Sequence, residues 1–398
     1  MSYSEAELRD FLISVAKRIL RIKAIAPSSG GEGELKRAEE ISRILSELGY
    51  SDVVRIDVRD SSGVVRPNIY LKIGNMERTL WIISHIDTVP VGDPTLWKYA
   101  PFDATVEGDR IYGRGSADNG QAIFTSLLLL KTLEKEKMKY NIGLAFVSDE
   151  ETGNQYGIKR LIESGVFSKS DLILVPDSGS PDGSIVEISE KSILWIKFTV
   201  IGKQGHASKP ETAQNSFLIA SKLVIALESE LKERFPDSDT LFKPSVSTFV
   251  PTRHEENVGN VNTIPGRDIF YFDCRVLPKY DLDIVMDEVK KITGRIESEN
   301  GIHVKIDVVQ RQESSPIVSK DSEINVKLAE ALKATRNITP ILTGIGGQTF
   351  ANFLRQSGIP AAVWSTAEDS VYHQANEFCV ISYIFKDLEV IRYMLYNQ

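Results

Sequence analysis

The chain has 398 residues, of which 42% are apolar and 26% charged, with a formal net charge of −8. A single core stops growing at roughly 250–300 residues, so two domains are expected. The acidic balance and the lack of a basic, aromatic-interleaved stretch argue against a nucleic-acid or anionic-membrane partner.

In chain order, Ser4 reads as a helix N-cap, with Glu5, Glu7 and Asp10 at the positive end of the helix dipole. Leu8, Leu12, Val15, Ile19 and Ile22 then recur at helical spacing. The first ten residues lack the basic and apolar regions of a secretory leader. A second helix is expected over 32–48, ending at Gly49. Short apolar runs at 80–84, 142–147, 172–175 and 361–364 read as buried strands, with helical patterns at 120–136, 155–164 and 350–357 between them. That alternation predicts an α/β layer whose sheet is largely parallel. The most apolar run, 122–133, is interrupted by Thr125, Ser126, Lys131 and Thr132. It is too short and too polar to span a bilayer.

The middle of the chain reads differently. Strands near 193–200, 245–250, 269–276 and 303–309 alternate with helices at 213–234 and 282–296. Strand–helix–strand–strand–helix–strand is the split order of ferredoxin-like domains. The expected layout is a catalytic domain from 1–191 and 310–398, with an inserted α+β lid or dimerisation domain at 192–309. The strand at 192–200 is read as an exposed edge able to pair with a second copy. Cys274 and Cys379 lie far apart and outside any CxxC pattern, so they read as buried hydrophobes of a reducing, cytoplasmic compartment.

Residues able to carry chemistry fall where the strands end. His85 and Asp87 follow one strand, Glu150 and Glu151 a second, Asp177 a third, and His373 lies beyond a fourth. In open α/β sheets the C-terminal edge is where sites form. Asp118 lies in a Gly-rich turn leading into an apolar helix. Singly, each has an ordinary reading: a loop histidine, solvated acids, a turn aspartate at Asp177, or a helix cap at Asp118. Jointly, two histidines and several acids are the mixed ligand set of Zn²⁺ or a similar metal. Two metals need a bridging carboxylate and two further ligands each, which these residues supply with one Glu left as a base.

Seven stretches together resemble one family: SHIDTVP (84–90), GRGSAD (113–118), DEETG (149–153), VPD (175–177), GKQGHAS (202–208), NTIPG (262–266) and HQANE (373–377). They are similar to those of the di-zinc metallopeptidases that include acetylornithine deacetylase, succinyl-diaminopimelate desuccinylase, aminoacylase and glutamate carboxypeptidase. The resemblance implies two Zn²⁺, with Co²⁺ or Mn²⁺ as substitutes. It makes Asp118 the bridge, His85 and Asp177 the rest of one site, and Glu151 and His373 the rest of the other. Asp87 would hold the His85 ring, Glu150 would act as general base on a water, and His206 would stabilise the oxyanion, often across a subunit boundary. Arg275 and Asn262 match positions that touch substrate, and Gly346 and Gly347 lie in a stretch similar to the Gly-rich loop whose backbone N–H groups hold a carboxylate, although Arg275 also reads as a strand residue paired with a nearby acid.

The implied substrate is a small molecule with a free carboxylate, and the implied assembly a homodimer through the inserted domain. The resemblance further implies a cis peptide bond between Asp118 and Asn119, where relatives continue with Lys-Gly and this chain has Asn119-Gly120. Asp177 favours a dipeptidase or aminopeptidase acting on free-amine peptides, because deacylases tend to carry Glu there. The overall pattern favours deacylation of an N-acyl amino acid. A non-catalytic binding protein on the same scaffold would need a lost ligand or base, and none is lost.

Overall fold

The computed structural model describes residues 3–397; Met1 and Ser2, where the leader reading begins, and Gln398 lie outside the described residues. The chain divides into two compact units. One comprises Met1–Ile188, Val318–Thr343 and Thr349–Gln398, and the other Ser189–Ile317 with Gly344–Gln348.

In the first unit the runs TLWIISH (Thr79–His85) and NIGLAFV (Asn141–Val147) are buried at every position. Strands without a solvent face belong at the centre of a sheet covered on both sides. These two pair in parallel, and Thr79–His85 also pairs in parallel with Leu172–Ser180, which takes Ala361–Thr366 as its other parallel neighbour. Antiparallel strands Val65–Ile73 and Val54–Arg59 extend the sheet beyond Asn141–Val147. Ile185–Glu190 and Ile341–Ile345 complete the eight at the other margin. The mixed sheet is therefore parallel where it is most buried, and its parallel strands release their C-terminal ends on one edge.

Local chemistry starts and packs the flanking helices. Helix Glu5–Leu20 opens with a capping box in which Ser4 and Glu7 satisfy each other's backbone N–H groups. Helix Gln121–Lys131 is buried at every position except Lys131 and packs on Ile381–Tyr396. Inside the sheet, Trp81 lies opposite Gly143 on the adjacent strand. Its indole Nε1 donates to Asp171 Oδ2 at 3.1 Å, and its ring packs edge-on against Tyr70 and Phe167.

The second unit follows the ferredoxin-like order. Strand Ser192–Ile201 leads to helix Ser216–Arg234, strands Thr248–His254 and Arg267–Val276, helix Leu282–Asn300 and strand His303–Gln312. The expectation that 192–200 forms an edge is overturned. Ser192–Ile201 is central, pairing antiparallel with Arg267–Val276 on one side and His303–Gln312 on the other. Its side chains explain this: most are buried, and Phe198 stacks on Phe270 at 4.9 Å. The edges are Thr248–His254 and His303–Gln312, whose charged and exposed residues tolerate solvent.

Cys274 and Cys379 are free and buried, and burial raises both thiols well above the usual range. Among the described residues no helix is long and apolar enough to cross a membrane.

Candidate metal centre

The parallel edge of the first unit gathers the chemistry. His85 ends strand Thr79–His85, Asp177 lies near the end of Leu172–Ser180, and Glu150 and Glu151 open a 3-10 turn, Glu150–Thr152, beyond Val147. Asp118 sits in the turn Ser116–Gly120 ahead of the buried helix, and the bond between Asp118 and Asn119 is cis. His373 lies in the loop after Ala361–Thr366 with φ of 60°.

Asp118 is the centre of the arrangement. Its Oδ1 lies 2.7 Å from His85 Nε2 and its Oδ2 lies 3.0 Å from His373 Nε2. His85 Nε2 is also 3.4 Å from Asp177 Oδ1, and His373 Nε2 is 3.2 Å from Glu151 Oε1. Two trios result, His85–Asp118–Asp177 and Asp118–Glu151–His373, each with ligand atoms within 4.8 Å of one another. The first trio is buried, whereas the His373 side chain is 54% exposed, so the site opens to solvent on that side.

Several local devices hold these side chains. His85 Nδ1 faces the backbone carbonyl of Asp87 at 3.2 Å and the Asp87 carboxylate at 3.4 Å. The same carboxylate accepts the N–H of Glu150 through Oδ1 (3.1 Å) and that of Glu151 through Oδ2 (3.0 Å). Asp87 therefore ties one histidine to the acidic turn, a larger part than the ring contact expected from the sequence. Asp149 precedes that turn in the left-handed region, and its carboxylate accepts the Tyr156 N–H (2.9 Å) and lies 3.3 Å from Arg66. Asn119 donates to Asp177 Oδ1 at 2.7 Å and to the Pro176 carbonyl at 2.9 Å. Gly115, with φ of 76°, has no room for a side chain, because a Cβ would meet Thr88 at 2.4 Å.

The electrostatics fit a divalent cation at each trio. Burial opposes charge on His85, yet Asp118, Asp177 and Asp87 outweigh it and hold the ring well above its ordinary pKa. Hydrogen bonds to Asp118 and Glu151 raise His373 to about 10. Burial opposes ionisation of Asp118, but the two histidines hold its carboxyl below the ordinary carboxylate range. Burial, reinforced by Asp118, raises Glu151 to about 7, and burial with the Asp177 charge pushes Glu150 well up. Burial also raises Asp177. Clustered acids in a buried site repel one another, and metal ions bound there would relieve that while displacing the ring protons.

The remaining sequence candidates lie in the second unit. His206 belongs to a short strand, Gly205–His206, paired with Thr263–Ile264. Its Nδ1 accepts the N–H of Ser208 at 3.1 Å, so the neutral ring carries its proton on Nε2. Asn262 adjoins this strand pair, its carbonyl accepting the Ala207 N–H at 2.9 Å. Arg275 forms a two-pronged pair with Asp273 (2.7 and 3.0 Å) and donates to the Gly346 carbonyl at 3.0 Å, so much of its fork is occupied. Gly346 and Gly347 follow strand Ile341–Ile345, and neither is crowded. Sequence reasoning assigned no role to Arg114, Asn119, Asp149 or Glu377. Three of them lie in recognised motifs and Asn119 directly follows one, but each acts on backbone or another ligand, which no residue pattern displays.

Comparison with known proteins agrees with this arrangement. The chain is 40% identical over 404 residues to an uncharacterised metallohydrolase of Methanocaldococcus jannaschii, covering 96% of this chain and 98% of that one. It is 25% identical over 355 residues to a succinyl-diaminopimelate desuccinylase of Pelagibacter ubique, covering 86% and 88% of the two chains. A metallo-carboxypeptidase of Sulfolobus solfataricus shares the fold at a TM-score of 0.76 and 22% identity, over 98% and 99% of the two chains. The profile of peptidase family M20/M25/M40 matches residues 81–397, a span that contains both ligand trios. A mixed sheet presenting paired histidine–carboxylate trios, a 40% identical metallohydrolase and a profile match over most of the chain converge: this protein is a metal-dependent hydrolase of peptidase family M20/M25/M40.

Proposed function

We propose that the protein is a di-zinc hydrolase that cleaves the amide bond of an N-acyl amino acid of the acetylornithine or succinyl-diaminopimelate type. The observation that carries this reading is the division of Asp118, one oxygen toward each histidine, with an acid beside each ring. Asp118 would bridge, His85 and Asp177 would complete one site, and Glu151 and His373 the other. When bound, the metals supply Lewis acidity to a carbonyl oxygen and make water a stronger nucleophile at neutral pH.

The chain's own groups do the rest. Glu150, whose carboxyl is pushed up by burial and by Asp177, takes a proton from water and returns it to the leaving nitrogen. Asp87 keeps that base and His85 in fixed relation through the two turn amides. His206, with Nδ1 occupied by Ser208, presents an Nε2–H suited to a developing oxyanion. Arg275, Asn262, Gly346 and Gly347 would bind the substrate, in a cytoplasmic homodimer joined through the second unit. The desuccinylase likeness supports the acylated substrate. Asp177 supports the second reading, a dipeptidase acting on free-amine peptides.

The test is hydrolysis by zinc- or cobalt-loaded protein of free-amine dipeptides against N-acetyl and N-succinyl derivatives of the same amino acids. Preference for the capped compounds supports deacylation, and cleavage of dipeptides alone overturns it for the second reading. Glu150→Gln is expected to abolish turnover with metal content unchanged; retained turnover would remove Glu150 from its role.

A further inference from the structure

Two segments carry ligands of the proposed centre and are laced together by a residue outside both trios. Glu377 is fully buried, four residues beyond His373. Its Oε1 accepts the N–H groups of Ala117 (3.0 Å) and Asp118 (3.1 Å). Its Oε2 accepts the N–H of Gly115 (3.0 Å) and Arg114 Nη1 (2.6 Å). Its backbone carbonyl takes the Gly113 N–H at 2.9 Å. Arg114, 1% exposed and lying over the Trp97 ring at 5.3 Å, reaches back with Nη2 to the His373 carbonyl at 3.2 Å.

The chemistry explains why a carboxylate is needed here. The turn around Gly115 is buried and lies in neither regular helix nor strand, so its successive N–H groups have no ladder to join, and buried donors must be paired. One carboxylate offers enough lone pairs for three amides and a guanidinium. With both oxygens saturated, Glu377 is neither a ligand nor a base. Its donors include the backbone N–H of Asp118 itself, and its partner Arg114 holds the backbone of His373.

We propose that Glu377 and Arg114 are a positioning pair that presets the Asp118 carboxylate between the two histidines before any metal binds. This rests on the di-metal reading above. Without the clasp, Asp118 and His373 are free to part, and each cation then meets ligands that must first be ordered. Partners of this kind are worth about 10–100-fold in metal affinity.

The experiment is calorimetric titration of the metal-free full chain with Co²⁺, with visible spectra of the loaded protein, for wild type, Glu377→Ala and Glu377→Gln. The wild type is expected to take up two Co²⁺. Glu377→Ala is expected to bind cobalt about 10–100-fold more weakly and with an altered d–d band. Glu377→Gln keeps one acceptor oxygen but turns an NH₂ group toward donors, so an intermediate affinity is expected. Should Glu377→Ala not fold, Glu377→Gln and Arg114→Lys carry the test, the latter keeping charge while losing the fork to His373. Wild-type affinity and spectrum in the folded variants would overturn the clasp alone. A wild type that takes up a single Co²⁺ overturns the two-site reading and leaves the clasp to be judged at the remaining site; one that takes up none overturns both.

Discussion

Gly143 is a position where one methyl group should be felt throughout the first unit. A Cβ there would sit 2.3, 2.4 and 2.7 Å from three atoms of the Trp81 ring, where 3.4 Å begins ordinary contact. The indole must retreat by about an ångström, yet its Nε1 is held by Asp171 at 3.1 Å and its ring meets Tyr70 and Phe167 edge-on. Overpacking of this kind costs about 1–3 kcal/mol, and three restraints on one ring place Gly143→Ala at the upper end. Trp81→Ala alone opens a cavity and costs about 3–5 kcal/mol. In the double variant the added methyl has nothing to strike, so its cost should vanish and the two changes should couple by about 1–3 kcal/mol. Urea denaturation of the four metal-free proteins measures the cycle. Losses that add to within about 0.5 kcal/mol would refute the clash as the cause. Because these strands end at His85 and lead into Glu150, Gly143→Ala should also lower turnover in the loaded enzyme.

Asp87→Asn should destabilise the metal-free protein by about 1–3 kcal/mol, because one turn amide then faces an NH₂ group. It should also cost about 10–100-fold in kcat/KM; an unchanged melting temperature and rate would mean the carboxylate does not hold the turn. Asp387 is raised to about 7 by burial, though it accepts from the Thr366 N–H at 2.9 Å and from Gln121 at 3.2 Å. With the folded pKa above the unfolded one, its contribution is full below about pH 4 and is lost as pH rises through about 7. Asp387→Asn should therefore flatten the fall in melting temperature across that window, and an unchanged slope would exclude this residue.

Legibility in the sequence followed burial. Runs such as TLWIISH and NIGLAFV announce themselves because a strand covered on both faces has no polar alternation to confuse it. The marginal strand VRIDVR alternates charge with apolar residues and is not among the expected strands, and the short Ile341–Ile345 has only Gly344 buried. The ligand candidates were visible because His, Asp and Glu at strand ends are chemically conspicuous. The central place of Ser192–Ile201 was not, since strand order depends on which neighbours cover a strand and not on the strand alone. Glu377 and Asp87 do their work through backbone amides, and an amide's need for a partner is written in the fold and not in any side chain.

The interrupted course of the first unit also orders events during synthesis. Strand Leu172–Ser180 waits for its parallel neighbour Ala361–Thr366 until the long run Ser189–Ile317 has been made. That run holds nearly all of the second unit, with its own apolar centre around Phe198, Leu223, Phe249 and Val285. Chains fold unit by unit as they emerge, so the later-numbered unit should form while its host still presents an unfinished apolar sheet. His373 emerges last among the candidate ligands, beyond even that closing strand. A truncation before residue 361 would thus leave a finished second unit beside a first unit that lacks both its closing strand and His373.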